Sequence, residues 1–523
     1  MWLLYALACH PGSDSDVRDS EGGALPPGVE LLPTIPCAAP DPDGKVRFTT
    51  LTDDPGLHAQ DALSGWGTGV TVADFDGDDR VDLLLNTMDG LMVLMGTDTL
   101  GFVDETASRL AYDDMSILTS AFDLDDDGDL DILYYDRYGV ATEWINDGSG
   151  VFTQAELVGW PSWVEEGAYT KVRSLAWGDL DGDGRLDAVT ANDGTSDADP
   201  RDLLIRRRED GAFEDITSRL PEEAISAFTK ATTLLDFDGD DDLDLYIVNH
   251  EGLEHGGNTL FLNDGTGHFT AAPDQGLNLV ISGMGVSYAD VNADGVPDAL
   301  VSDWASLHLM LSGDGRWFDA AQALRMDRSP LESQVVSWGS ALEDLDNDGD
   351  LDAAMAFGPG SDDEAVGDNP QDQPDALWLW EDGAFVAHGP DAGFDSPDEG
   401  RGLAVLDLDH DGTLDVVHSP KDEPVWVSHG ACNDRAWVTV SVAGPPGNRE
   451  GAGGWVEVEV AGVTQRRWLY AGGTGNSTSV PAAAHFGLGD AEAVGRLVVH
   501  LPGHADSEFA DLPVRARLQV TVE

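Results

Sequence analysis

The chain has 523 residues, of which 99 are acidic and 27 basic, for a formal net charge of −72 at pH 7. A surface that negative repels nucleic acid and anionic membrane surfaces and excludes them as partners. Because 41% of the residues are hydrophobic, the chain can still build cores, and a disordered acidic polymer is excluded as a description of the whole.

Taken in chain order, residues 1–9 (MWLLYALAC) form a short apolar run. Its Ala-Leu-Ala-Cys end resembles a bacterial lipobox, which implies export and lipidation at Cys9. Residues 10–44 are rich in Pro, Asp, Gly and Ser and read as a flexible tether. No later stretch approaches the roughly 18 apolar residues of a spanning helix, so a membrane contact would run through that lipid anchor alone. KVRFTTLT, residues 45–52, has the aromatic-then-threonine look of an outer strand.

Seven windows with Asp or Asn at positions 1, 3, 5 and 9 follow. Their ligand-type residues are Asp74, Asp76, Asp78 and Asp82 in the first, Asp123, Asp125, Asp127 and Asp131 in the second, and Asp179, Asp181, Asp183 and Asp187 in the third. The fourth has Asp236, Asp238, Asp240 and Asp244, and the fifth Asp290, Asn292, Asp294 and Asp298. The sixth has Asp344, Asp346, Asp348 and Asp352, and the seventh Asp407, Asp409, Asp411 and Asp415. Successive windows start 49, 56, 57, 54, 54 and 63 residues apart, a repeat that chance acidity does not produce. Alternating carboxylates around a tight turn are how a chain wraps a hard cation such as Ca²⁺. An EF-hand is excluded, because it needs Glu at position 12, where this chain has Leu85, Tyr134, Thr190, Ile247, Val301, Met355 and His418. Each window runs instead into a short apolar segment of buried-strand type, so the loops join strands.

Every unit contains four strand-like pieces: one before the loop, one after it, a third ending in a turn such as NDGSG or NDGTG, and a fourth opening on an aromatic as in GVFTQAE or GHFTAAP. Four strands per unit with radial repetition predict an all-β, seven-bladed β-propeller. The seventh loop has no fourth strand after it, and residues 45–52 are expected to supply it and close the ring near residue 430. The units resemble FG-GAP/VCBS repeats, the calcium-binding propeller repeats also found in integrin alpha chains. That resemblance implies up to seven Ca²⁺, held by the side chains at positions 1, 3, 5 and 9 and the carbonyl at position 7. Two departures stand out: Asp79 and Asp241 occupy position 6, where Gly turns more easily, and Asn292 replaces a carboxylate.

From Arg435 the spacing changes to alternating strands (AWVTVSV, GWVEVEV, GRLVVHLP, ARLQVTVE), read as a small β-sandwich over residues 431–523. Its motifs GNREGAGGWV, YAGGTGNSTS and HFGLG resemble the ASPIC/UnbV domain, which accompanies such repeats in the cartilage acidic protein family and in many bacterial secreted proteins. LVVHLPG departs from that domain's usual Trp-Pro-Ser-Gly ending. Once Cys9 is set aside for lipidation, Cys37 and Cys432 flank the ring closure. A disulfide there would lock the ring in an oxidising compartment, and two free thiols are the alternative.

No H-E-x-x-H, G-x-S-x-G or Walker sequence is present, and the Asp pairs are committed to loops. Strand order places the loops on one face of the ring and the long insertions on the other, including the connection with Trp160, Trp163 and Tyr169. The expected function is that of a secreted or surface-anchored calcium-binding propeller, cell-surface or outer-membrane located, which binds a protein or glycan ligand without catalysis. The alternative is a lyase-like carbohydrate-active enzyme on the face opposite the loops. It would need Lys171, Arg173, Lys230, His250 and His255 to converge beside Trp160 or Trp163.

Overall fold

The computed structural model describes residues 25–522 apart from 38–39, 41–44, 52–56, 58–68, 88–89, 99, 111–115, 137, 162–170, 194–201, 226–227, 251, 253–255, 305, 327–334, 361–372, 395–398, 422–423, 473–477 and 481. The lipobox-like segment with Cys9, and Trp163, Tyr169 and His255, lie outside the described residues. No described helix is long and apolar enough to cross a membrane.

Seven antiparallel sheets form the propeller. Their innermost strands are Val70–Ala73, Ser116–Phe122, Lys171–Gly178, Phe228–Leu235, Gly283–Ala289, Ser337–Glu343 and Gly400–Leu406. Each acidic loop connects an innermost strand to a second strand that begins on the loop's position-9 Asp: Asp82, Asp131, Asp187, Asp244, Asp298, Asp352 and Asp415. These second strands, such as DLLLNT and DILYYD, are buried along their whole length, as expected for a strand covered by blades on both faces. Adjacent blades share their cores. Phe237, Tyr246, Tyr288 and Trp317 pack together between the fourth and fifth blades, and Phe122 lies against Trp177 between the second and third.

The ring closes through Phe48–Thr50, which pairs antiparallel with Trp426–Gly430 as the outer strand of the seventh blade. Cys37 and Cys432 are joined by a disulfide, with their Cα atoms 5.8 Å apart.

The C-terminal module is a sandwich of two four-stranded sheets. Trp455–Val460, Val463–Trp468, Val494–His500 and Ser507–Leu512 form one. Ala436–Ala443, Ala483–Gly489, Ala516–Thr521 and Val29–Leu32 form the other. Val438, Val440, Val456, Val458, Phe486, Leu497, Val499 and Leu518 fill the space between them. The strand Val29–Leu32 corrects the expectation of a tether over residues 10–44. It pairs in register with Arg517–Val520, because that sheet edge would otherwise present unpaired backbone groups. The chain then stays anchored, with the Ile35 N–H donating to the His410 carbonyl at 2.9 Å.

Candidate metal centres

All seven acidic loops share one hydrogen-bond plan. The position-1 carboxylate receives the N–H groups of positions 5 and 6; at Asp344 these are Asp348 at 3.1 Å and Gly349 at 2.7 Å. The position-5 carboxylate receives the N–H of position 7, as Asp411 does from Thr413 at 2.8 Å. The position-9 carboxylate receives the N–H of position 2 on Oδ2 and the N–H of a third-strand residue on Oδ1. For Asp131 these donors are Leu124 at 2.9 Å and Asn146 at 2.8 Å, and for Asp352 they are Leu345 at 3.0 Å and Trp380 at 2.9 Å. Position 9 is therefore a buried staple joining loop, second strand and third strand, as well as a candidate ligand.

To fold this way the backbone turns left-handed twice, at positions 4 and 6. Position 4 has φ of 69° at Gly77, 65° at Asp126, 57° at Ala293, 62° at Asn347 and 63° at His410. At position 6 glycine serves in five loops, while Asp79 at 66° and Asp241 at 76° hold the same conformation.

The plan gathers the carboxylates. Asp74, Asp76 and Asp78 offer oxygens within 4.8 Å of one another, as do Asp123 with Asp125 and Asp127, Asp179 with Asp181 and Asp187, and Asp236 with Asp238 and Asp244. In the seventh loop Asp409 and Asp415 are joined by His429, a third-strand residue that the periodic pattern did not single out. Burial, reinforced by the neighbouring loop carboxylates, pushes Asp82 and Asp131 up to about 7 and Asp187 and Asp244 up to about 8. Oδ1 of Asp76 and Oδ1 of Asp181 are buried and have no hydrogen-bond partner among the described residues. Hard oxygen donors, mutually repelling and partly orphaned, fit a divalent cation of the Ca²⁺ type. Where these clusters hold such an ion, it would offset the repulsion and fix the hairpin.

In three loops the position-3 carboxylate meets an arginine. The Arg109 Nη2 is 3.0 Å from Asp76, the Arg206 Nε is 2.9 Å from Asp181, and the Arg435 Nη1 is 2.6 Å from Asp346. A guanidinium on a candidate ligand competes with a cation for the same lone pairs, so the seven sites are not equivalent.

The loop face is not open. The C-terminal sandwich sits on it and contacts mainly the positions that are not candidate ligands. Both terminal nitrogens of Arg517 donate to the Asp79 carboxylate at 2.9 Å, and the His500 Nε2 is 2.7 Å from Asp241 Oδ1. The two loops that lack glycine at position 6 are thus two that hold the sandwich. The Gly447 N–H donates to Asp126 at 2.7 Å, the His485 Nε2 lies 2.8 Å from Asn347 Oδ1, and the Arg466 Nη1 donates to the Gly295 carbonyl at 2.7 Å. Trp437 lies so close over Gly412 that a Cβ there would sit 1.8 Å from the ring. The described ends of the YAGGTGNSTS motif pair with inner strands of the ring. Ala471–Gly472 pairs with Trp177 and Ala176 of the third blade, and Ser479 exchanges backbone hydrogen bonds with Val70 and Val72 of the first, at 2.9 Å each.

On the opposite face, Arg173 and Lys230 both reach Asp193, at 3.0 and 2.7 Å. Burial opposes ionisation of Asp193, but Lys230 and Arg173 outweigh it and hold the carboxyl well below its usual range. His250 lies in the same group, its pKa lowered to about 4 by burial and by Lys230, and its ring is 5.6 Å from that of Trp304. Trp160 does not join them. It packs between blades against Tyr135, Trp177 and Phe213, and its indole N–H donates to the Tyr135 hydroxyl at 2.8 Å. Trp160 is half-buried against the core between the blades, and the aromatic ring beside His250 is that of Trp304. The cluster forms because Arg173 and Lys230 sit near the start of innermost strands and Asp193 and His250 at the ends of the second strands, the strand ends far from the loops, a placement that strand order fixes.

A family model for the FG-GAP-like repeat matches residues 123–190, 179–247 and 236–301, and one for ASPIC and UnbV matches residues 444–523. The chain carries FG-GAP-like repeats and an ASPIC/UnbV domain. The FG-GAP windows each run from position 1 of one acidic loop to position 12 of the next. This repeat-plus-ASPIC/UnbV chain is 27% identical over 348 residues to cartilage acidic protein 1 of Mus musculus, covering 61% of this chain and 50% of the relative. It is 29% identical over 259 residues to cartilage acidic protein 1 of Xenopus tropicalis, covering 46% of this chain and 37% of the relative. The chain therefore spans half or less of the length of these relatives. Among solved structures it is similar to an Agrocybe aegerita lectin described as recognising non-reducing terminal N-acetylglucosamine, at 18% identity and TM-score 0.40, covering 62% of this chain and 80% of that one. It is also similar to the BBS1N–ARL6DN complex, at 10% identity and TM-score 0.43, covering 73% of this chain and 96% of that one.

Proposed function

We infer that the protein is an extracellular, calcium-stabilised propeller that binds a protein or glycan ligand without catalysis, through the ring face opposite the acidic loops. The observation that carries this reading is the sandwich seated on the loop face. With positions 4 and 6 engaged, and with Ala471–Gly472 and Ser479 paired to inner strands of the third and first blades, the loops act as scaffold, and recognition falls to the opposite face. The disulfide supports an oxidising, extracellular setting, as does the similarity to cartilage acidic protein 1. Loops on a rigid ring are the usual place for recognition, and Arg173, Lys230, His250 and Trp304 give the free face a basic and aromatic centre in a strongly acidic molecule.

Two measurements test the reading. Ions that bind only the native state stabilise it by mass action, so excess EDTA should lower the melting temperature and Ca²⁺ should restore it; an unchanged melt removes calcium from the account. A glycan and protein-ligand array probed with the wild type and with Trp304→Ala should show a ligand lost in the variant. A ligand that binds both equally would place recognition elsewhere. The lyase-like alternative keeps one supporting observation, the neutral His250 beside Lys230 and Arg173, and predicts new unsaturated ends when uronate-containing polysaccharides are incubated with the protein.

A further inference from the structure

Between the propeller and the sandwich lies a cavity of about 400 Å³, within the size range of small-molecule sites. Its walls include Arg467, Glu343, Trp468, Tyr470, Thr439 and Ser441. The Arg467 side chain is more than nine-tenths buried, at 7% exposure. Its guanidinium is held by Nη1 donating to the Arg466 carbonyl at 3.1 Å and by the Phe486 ring 5.1 Å away. Nε and Nη2 have no hydrogen-bond partner among the described residues, and neither has Oε2 of Glu343. The Arg467 Nε and Glu343 Oε2 are 3.8 Å apart, too far for a hydrogen bond. A buried guanidinium beside a half-buried carboxylate, with donors and an acceptor left without partners among the described residues, is costly unless something completes them.

We propose that this cavity binds a small neutral polyhydroxylated ligand, a monosaccharide or cyclic polyol. Two adjacent hydroxyls match the pair: one oxygen accepts from the Arg467 N–H groups while its neighbour's O–H donates to Glu343. Trp468 and Tyr470 offer aromatic surface for the C–H face of a ring, and Thr439 and Ser441 add hydroxyls on the sandwich wall. An anion is disfavoured because Glu343 stands beside Arg467, and the other arginines of the walls, Arg80 and Arg517, are already paired with Asp78 and Asp79. The site is distinct from the free ring face, so either can fail without the other.

The test uses the full chain in calcium-containing buffer, titrated separately with D-glucose, D-galactose, D-mannose and myo-inositol, with D-glucuronate as the anionic counterpart. Binding is read by saturation-transfer NMR and calorimetry. At least one neutral probe is expected to bind, with affinity falling tenfold or more in Arg467→Met and in Ser441→Phe, which fills the cavity from the sandwich wall. Both variants are checked by circular dichroism and melting; if Arg467→Met does not fold, Ser441→Phe decides. The proposal is overturned if no neutral probe binds, if binding survives in the folded variants, or if D-glucuronate binds most tightly.

Discussion

Asp181 and Asp187 belong to one loop but answer to different forces. Asp181 has an oxygen with no hydrogen-bond partner among the described residues and an arginine on the other, whereas Asp187 receives backbone N–H groups from Leu180 and Arg207 at 3.3 and 2.8 Å. Asp181→Asn should therefore lower the melting temperature in Ca²⁺ and leave it unchanged or raised in EDTA, where one repelling charge has gone. Asp187→Asn places an amide N–H₂ where a backbone donor needs an acceptor and should cost about 2–3 kcal/mol in EDTA, and more in Ca²⁺, where a candidate ligand is lost as well. Parallel melts of the two variants with and without EDTA read the difference, and equal losses in both buffers would deny Asp181 a metal role. By the same logic Arg206→Met frees Asp181 and should raise calcium affinity at the third loop, seen as a tighter step in a calcium titration. Asp79 gives a third residue-scale case. Turn chemistry alone favours Asp79→Gly, yet the variant loses the Arg517 pair. A double-mutant cycle of Asp79→Asn with Arg517→Met should show a coupling of about 1–3 kcal/mol, and no coupling would make the contact incidental.

At the scale of elements, strand existence and blade count were legible in the sequence because one loop recurs seven times in register, and the four-strand unit around it follows from alternation and turn residues. The closing strand was legible for a related reason: a missing fourth strand after Asp415 and an orphan aromatic strand at Phe48 have only each other to pair with. The docking of the sandwich was not foreseen. Its contacts are single side chains far apart in sequence, such as Arg517 on Asp79 and His500 on Asp241, and no periodicity marks them. The signal was the broken glycine rule at position 6, read as weak turns when it records a partner. The strand Val29–Leu32 was missed because the surrounding composition is that of a linker, and only the edge of Ala516–Thr521 gives it a reason to be ordered. A hairpin also supplies a pH-dependent element. His308, on the strand Leu307–Gly313, has its Nδ1 2.7 Å from Asp319 and its Nε2 3.6 Å from Asp303. Burial would lower its pKa, but the two carboxylates prevail and raise it to about 9. A raised histidine stabilises the fold fully below its unfolded value near 6.5, and that contribution is lost as pH rises through about 9. His308→Gln should thus cost about 2 kcal/mol at pH 6 and nearly nothing at pH 10, measured by denaturant melts at the two pH values.

For the whole molecule, the described residues tie the ring and the sandwich to each other at three kinds of place: loop contacts around the rim, the pairing of Ala471–Gly472 and Ser479 with inner strands, and the N-terminal segment that leaves the sandwich at Leu32 and reaches the seventh blade at Phe48. The disulfide between Cys37 and Cys432 closes this last path over a sequence separation of 395 residues. A cross-link over so long a loop restricts the unfolded chain strongly, and its removal in Cys37→Ser/Cys432→Ser should cost about 3–5 kcal/mol. The position of the bridge also says what should fail first. Phe48–Thr50 is a three-residue strand, so without the bridge its pairing is the weakest part of the closure, while the first and seventh blades keep the core that Val70, Val72 and Leu83 share with Ala404, Leu408 and Val417. Loss should appear as local opening before global unfolding. Hydrogen exchange on the double variant should show protection falling first at Phe48–Thr50, Trp426–Gly430 and Val29–Leu32, with the second to fifth blades unchanged. Uniform loss across all seven blades would mean that the ring opens as one unit and that the bridge acts on the unfolded state alone.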